Sequence, residues 1–542
     1  MKFILLLLLA GLPFAFGGVE PWAVALSETV VFLIAARLAW TQTSVAKKLL
    51  LPVGVLLFVA FFALAQTAVQ QPVSAAAGWL PFTSWRPATL YACGRWLMFA
   101  CLVWAAPSLL NSKASVKTLF WLLLCTGVVI SLMGMFQRST GDFLIYGLRY
   151  VPTEPFGPFV NRDNAANFLA LCAMCGVGLW LCGLAELVRH EGGTHFWDRL
   201  AFQFFMTVLI AICAAGIIKS GSRGALHAFF AALAVVSGVY LFSLRGKKRV
   251  LLAVSLALAV AGYGAFLASH TSYLGRPGGK LDASTAVRLS LYKSTAVLIK
   301  DFPLFGTGLG SFRNSFGSYQ APSVRGTVEY AHCDWLQAAA ETGLPLAMLF
   351  AGMVLYILYR TARHCARENS STARALGCGI LGALTAFCLH ACVDFPLQIP
   401  ANAVLFFSLL GLAAARVYSD VPKEELLPRM KFVRLPLFAL CLACWIPAIG
   451  WAYGQAGRHA ERLYQPDYFR KALSFYPDPD TVFRLGAAQY NIAVENQSSE
   501  REILLYMLGD MQPYFLALPD DRQLRGLRQS VYLRLGLQDT RL

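Results

Sequence analysis

Residues 200 to 243 read LAFQFFMTVLIAICAAGIIKSGSRGALHAFFAALAVVSGVYLFS, two apolar runs (200–219 and 224–243) joined by the very short turn Lys219-Ser220-Gly221-Ser222-Arg223-Gly224. Each run is long enough, at ~1.5 Å per residue, to cross ~30 Å of hydrocarbon as a helix. Runs of the same kind lie near 3–17, 20–40, 48–66, 88–107, 116–136, 164–187, 249–269, 343–360, 375–391, 398–416 and 435–453. With 57% hydrophobic and only 14% charged residues, the chain is too apolar for an ordinary soluble domain. The expected fold is an all-α, polytopic membrane protein of about thirteen transmembrane helices, by the hydropathy criterion.

The formal net charge of +17 does not indicate nucleic acid, because the basic residues are scattered between apolar runs and form no stripe with a recognition motif. They follow the positive-inside pattern. The links holding Lys47 and Lys48, Lys113 and Lys117, Arg189 and Arg199, Arg245 to Arg249, Arg363 to Arg374, and Lys423 to Arg434 fall on one side of the bilayer, the cytoplasm. The opposite links, Gly18 to Pro21, Gln66 to Pro87 and Ala391 to Gln398, carry only Arg86. The segment 270–341 and everything after Gly454 then lie outside. The start, Met1-Lys2 and an apolar run to Phe16, reads as an uncleaved helix because no convincing small-x-small cleavage site precedes the next run. Most of the 14 cysteines, including the Cys172/Cys175 and Cys441/Cys444 pairs, sit in apolar runs and read as small hydrophobes.

Two regions are expected: a transmembrane core over 1–453, including the outer segment 270–341, and a helical outer tail over 454–542. Residues 468–477 and the amphipathic stretch 481–492 resemble one tetratricopeptide helix pair. A single pair cannot bury its apolar face, so residues 500–537 are expected to supply further helices.

The sequence holds no Walker loop, no His-Glu-x-x-His and no Gly-x-Ser-x-Gly. Its unusual residues cluster at the outer ends of helices. Phe156-Gly-Pro-Phe-Val-Asn161-Arg162-Asp163-Asn164 opens the sixth apolar run, where Asn161 or Asp163 would cap the helix and the helix start would suit an anion. Arg223 falls at the membrane surface, where a guanidinium either snorkels to headgroups or binds an anion such as phosphate bidentately. In the outer segment, Arg288 opens an amphipathic stretch. It leads to Gly306, Gly308 and Gly310, which lack Gly-Lys-Ser/Thr and are expected to make tight turns. Next comes Tyr330-Ala-His332-Cys-Asp334-Trp-Leu-Gln337 and Glu341-Thr-Gly343. A neutral His332 imidazole can take a proton from an attacking hydroxyl, and His390-Ala-Cys-Val-Asp394, at the outer end of the eleventh run, can orient or support such a site.

Taken in order, the Asn161 motif, Ser220-Gly-Ser-Arg223-Gly, the run Arg288 to Phe312, Ala331-His332-Cys-Asp-Trp-Leu-Gln, Glu341-Thr-Gly343, and His390 to Pro396 with Gln398-Ile-Pro-Ala-Asn402 resemble the O-antigen ligase and O-antigen polymerase superfamily over roughly residues 10–420. That resemblance implies a C-type glycosyltransferase-like fold in the bacterial inner membrane and an undecaprenyl-diphosphate-linked glycan as donor. It implies transfer at the periplasmic face without metal, cofactor or nucleotide sugar. It further implies that Arg223 and Arg288 contact the diphosphate and that His332 is the base or positions the acceptor. From their places beside these residues in the sequence motifs, Asn161, Arg162, Asp334, His390 and Asp394 are further substrate-binding candidates. Cys333, where the family usually has an amide, and the long tail depart from the common pattern.

The acceptor is left open between another glycan, a lipid A core and a protein hydroxyl, and the tail is a candidate dock for a protein partner. A transporter or flippase of lipid-linked glycans is the alternative class. It would show inverted repeats, broken helices and deep ionisable residues, whereas here Arg95 is the main charge well inside a run. A membrane scaffold presenting a repeat tail would have no need of Arg223 or His332.

Overall fold

The computed structural model describes residues 1–41, 47–151, 154–189, 195–243, 283–419, 434–460, 467–476, 479–495, 500–517 and 521–535. Among the described residues, nine helices are long and apolar enough to cross a membrane: Pro21–Thr41, Lys47–Gln66, Arg86–Leu109, Lys113–Thr140, Arg162–Leu187, Phe196–Ser220, Arg223–Phe242, Leu344–Arg367 and Ser371–His390. Three shorter apolar helices, Lys2–Phe14, Pro400–Ala415 and Ala439–Tyr453, fall on the remaining expected runs, except for 249–269, which lies outside the described residues.

The shorter ones differ from expectation for local reasons. The first is helical only over Lys2–Gly11 and then breaks into 3-10 turns at Leu12–Phe14 and Phe16–Gly18, with Pro13 and the left-handed Gly17 interrupting the hydrogen-bond ladder. The run 435–453 divides into Arg434–Ala443 and Ile446–Ala460. The second of these crosses the 453/454 boundary, so the change in composition there falls inside a helix.

Pro400–Ala415 is buried at every position from Pro400 to Ala413. A helix apolar all round belongs in the middle of a bundle, and this one is the central post against which Arg86–Leu109 packs so closely that a Cβ on Gly411 would meet the Val103 carbonyl at 2.4 Å. Arg162–Arg189 and Ser371–His390 approach in the same way, with the Cβ position of Gly178 3.0 Å from Gly379 Cα. Where lipid removes the hydrophobic drive for helix association, small residues at such crossings allow close backbone packing.

One end of the bundle carries the elaborations: a two-stranded hairpin, Leu144–Ile145 with Arg149–Tyr150, the helix Ala283–Asp301, and the loop that follows it. Gly306, Gly308 and Gly310 all have positive φ, the tight turns expected from the sequence. Gln66 ties that loop to the bundle, donating to the Phe305 and Glu341 carbonyls and accepting from the Leu309 N–H.

Among the described residues beyond Ala460, the tail forms four helices, Asp467–Phe475, Pro479–Glu495, Glu500–Ala517 and Arg522–Leu535. They share one apolar cluster built around Phe469, Leu485, Met511 and Phe515, and the cluster also takes in Trp85 and Ala88 of the core. The tail therefore packs on its own helices and, through Trp85, on the decorated end of the bundle.

Candidate active site at the decorated end of the bundle

His332 has φ of 52°, a left-handed conformation that costs a non-glycine residue roughly 1–3 kcal/mol and is held only where surroundings over-determine it. Those surroundings are on both sides. Tyr292, on Ala283–Asp301, donates its hydroxyl to the His332 carbonyl at 2.7 Å. The Asp334 N–H donates to the Ala391 carbonyl at 2.9 Å. The Asp334 carboxylate, buried, accepts from the Leu397 N–H at 2.7 Å and the Gln398 amide at 3.3 Å. Asp334 thus stitches the histidine loop to residues 391–398. Its burial pushes its carboxyl well above the usual range.

The stitching sets His332 against Asp394. Nδ1 lies 3.3 Å from Asp394 Oδ1, the ring meets Phe395 edge-on at 4.9 Å, and the side chain is 33% exposed. With Nδ1–H donating to the carboxylate, the Nε2 lone pair is the free one. Burial alone would raise the Asp394 carboxyl, but the hydrogen bond from His332, the flanking imidazoles and the Arg288 guanidinium outweigh it and hold the group below its ordinary range.

His390 backs this pair, its Nε2 3.8 Å from Asp394 Oδ2. It is almost fully buried, and among the described residues its Nδ1 has no hydrogen-bond partner. Its ring sits on Gly224, where a Cβ would come within 2.8 Å of Val393 and 3.2 Å of the imidazole. The glycine after Arg223 therefore lets the Ser220–Gly224 turn close on the histidine. That turn is fixed by Gly221 at φ 76° and by Ser220 Oγ accepting from the Ser222 N–H, which puts Arg223 first in its helix, within 3.4 Å of the Ser284 hydroxyl.

Arg288 projects from Ala283–Asp301 to Asp163, 3.3 Å away. Asn161 acts as the local cap expected of it, accepting from the Asp163 N–H at 2.8 Å. Arg162 turns the other way: it pairs with Glu154, which Arg138 also holds at 3.0 Å, and its guanidinium lies beside Gly221. His332, Asp394, His390, Asp163, Arg288 and Arg223 thus gather at one place, while Arg162 and Asp334 support its rim and floor. Tyr292 and Glu154 were not singled out from the sequence. Tyr292 lies one helical turn beyond Arg288, on the same face, the only signal that could have pointed to it. Cys333 is buried and its thiol is pushed up to about 11, an inert neighbour of the histidine.

A family model described as O-antigen ligase matches residues 208–351, the stretch that carries Arg223, Arg288 and His332. No curated protein matches the chain at a significant level.

Proposed function

We propose, from the match of residues 208–351 to the family model described as O-antigen ligase, that this membrane protein transfers a glycan from undecaprenyl diphosphate to an acceptor hydroxyl at the periplasmic face of the bacterial inner membrane. The observation that carries the reading is the His332–Asp394 contact, with its carboxylate buried and the Arg288–Asp163 pair alongside. A sugar hydroxyl is a poor nucleophile at neutral pH. His332 Nε2 takes its proton as the oxygen attacks the anomeric carbon, and the bond from that carbon to the diphosphate oxygen breaks. Asp394 fixes the tautomer and faces the imidazolium that results.

The lipid diphosphate leaves with the bonding electrons, and Arg223 and Arg288 stabilise its charge. Arg288, steered by Asp163, is held in place before the donor arrives, so less side-chain freedom is lost on binding. Arg223 stands at a helix start opposite Ser284, where its fork reaches an anion at the surface. Another glycan, a lipid A core or a protein hydroxyl all present the same nucleophile.

The test is transfer from purified undecaprenyl-diphosphate-linked glycan in detergent, with protein abundance checked for each variant. His332→Ala should lower the rate about 10²–10⁴-fold and leave donor binding intact. Arg223→Lys should weaken donor use although it keeps the charge, because the bidentate fork is lost. Wild-type rates in both His332→Ala and Arg223→Ala would remove the assignment.

A further inference from the structure

A second feature lies two aromatic rings away from His332. Tyr330 stacks on Phe395 with centroids 4.5 Å apart, and His332 meets the same Phe395. On the far side of Tyr330 is a cavity of about 290 Å³, at the lower end of the ~300–1,000 Å³ typical of small-molecule clefts. Trp85, Tyr91, Tyr330 and Tyr476 supply ring surfaces, and Arg313, Glu329 and Gln337 supply donors and acceptors. Trp85 is 6% exposed, and among the described residues its indole N–H has no partner, a buried donor that an acceptor placed in the cavity would satisfy.

Tyr476 comes from the tail. Its ring lies 5.6 Å from Trp85 and 5.1 Å from Tyr91, so one wall of the cavity belongs to the extramembrane region. Arg313, which also lines the space, holds that wall in place through Asp480 at 2.9 Å and Asp521 at 3.5 Å. Arg522 and Arg525 add bonds from the tail to the Val324 carbonyl and the Ser318 hydroxyl.

Aromatic faces mixed with a guanidinium, a carboxylate and an amide suit a saccharide. Its C–H faces cover the rings while its hydroxyls take the polar groups, and each hydroxyl both donates and accepts. Arg313 and Glu329 already pair with each other at 3.6 Å; an acyl chain would instead leave the Trp85 indole N–H without an acceptor, and a free phosphate would leave the rings unused.

We infer that this cavity is the acceptor subsite, that it binds a short saccharide, and that the tail is a wall of it through Tyr476. The inference rests on the transfer function proposed above and adds the acceptor's class and the tail's role. The rings of Phe395 and Tyr330 stand between the cavity and His332, so the saccharide held there is the part of the acceptor remote from the reacting hydroxyl, which extends past the stack to reach the base. The donor diphosphate lies on the Arg223 and Arg288 side.

The experiment measures binding directly, in full-length protein in detergent, by saturation-transfer NMR. The probe is the oligosaccharide released by mild acid from the host's undecaprenyl-diphosphate-linked glycan. Wild type and His332→Ala should bind it equally. Tyr476→Ala on the tail and Tyr91→Ala, whose ring meets that of Tyr476, should each bind about tenfold more weakly, the size of one lost aromatic contact. Tyr476→Phe, which keeps the ring, should bind as wild type. In transfer assays Tyr476→Ala should raise the acceptor KM by a similar factor and leave the donor KM and kcat unchanged.

Unaltered binding in both alanine variants, or no saccharide binding by a wild type that transfers glycan, would overturn the subsite and leave the transfer function standing. Saccharide binding that depends on Tyr476 in a protein that transfers nothing would overturn the transfer function and leave the subsite standing.

Discussion

Replacing Asp394 by Asn removes one charge and almost no volume from the middle of the site. In the native arrangement the carboxylate can only accept, so His332 Nδ1 carries the proton and Nε2 is free to act as base. An asparagine amide can rotate its NH₂ toward Nδ1, and the favoured tautomer then has its proton on Nε2, where no base is left. The charge matters as well. An imidazolium forming beside a carboxylate at ~4 Å gains about 4 kcal/mol at an effective dielectric near 20, and ~1.4 kcal/mol is tenfold in rate.

His332 is one-third exposed, so solvent screens part of that gain. The expected loss for Asp394→Asn is therefore ~10²–10³-fold, somewhat below the ~10⁴ seen where a fully enclosed His–Asp pair is altered in the same way. Single-turnover transfer from pre-bound lipid-linked donor isolates this step from donor affinity, and thermal unfolding in the same detergent confirms that the variant is folded. If Asp394→Asn transfers within about threefold of wild type while His332→Ala is inactive, Asp394 does not orient the base and the two-residue mechanism fails.

Arg313→Ala should loosen the tail: Asp521 is fully buried and losing its cation costs up to ~3 kcal/mol, while the half-exposed Asp480 arm adds little. Limited proteolysis should then cut the tail faster than in wild type, and a tail as resistant as wild type would contradict the clamp. Burial pushes the Glu341 carboxyl from 4.5 up to about 7 and raises that of Asp334 in the same direction. The folded chain therefore holds protons that the unfolded chain has released between those values, and stability falls as pH rises through that window, the penalty being complete above about 7. Thermal unfolding should occur at a lower temperature at pH 8 than at pH 5.5, and Glu341→Gln should flatten the difference; a native protein more stable at pH 8 would refute this sign. Single cysteines placed at Arg367 and Tyr490 in a cysteine-free background should label from opposite sides of the membrane, and labelling from the same side would overturn the orientation read from the basic loops.

The parts of this fold that were legible in the sequence are those governed by one-dimensional rules. Runs of ~20 apolar residues are helices because a bilayer leaves backbone N–H and C=O groups no other partner, and the glycines 306, 308 and 310 are turns because their backbone needs positive φ. The breaks in 3–17 and 435–453 escaped that reading. Hydropathy averages over a window, and Pro13 or the bend between Ala443 and Ile446 acts on single hydrogen bonds. The members of the site could be named singly, since Arg223, Arg288 and His332 each stand out against apolar surroundings, but their partners could not. That Arg288 meets Asp163, 125 positions away, and that Gly224 is small because His390 lies on it, depends on how helices distant in sequence are placed beside one another. The cavity was hidden for a further reason. Trp85 caps the helix starting at Arg86, and Tyr91 and Arg95 follow four apart on it; Arg95 stands out as a charge in an apolar run, but aromatic residues near the end of such a helix read equally well as lipid-facing surface. What distinguishes it is Tyr476, nearly four hundred residues downstream. The tail thus supplies the ring that completes the wall of this cavity.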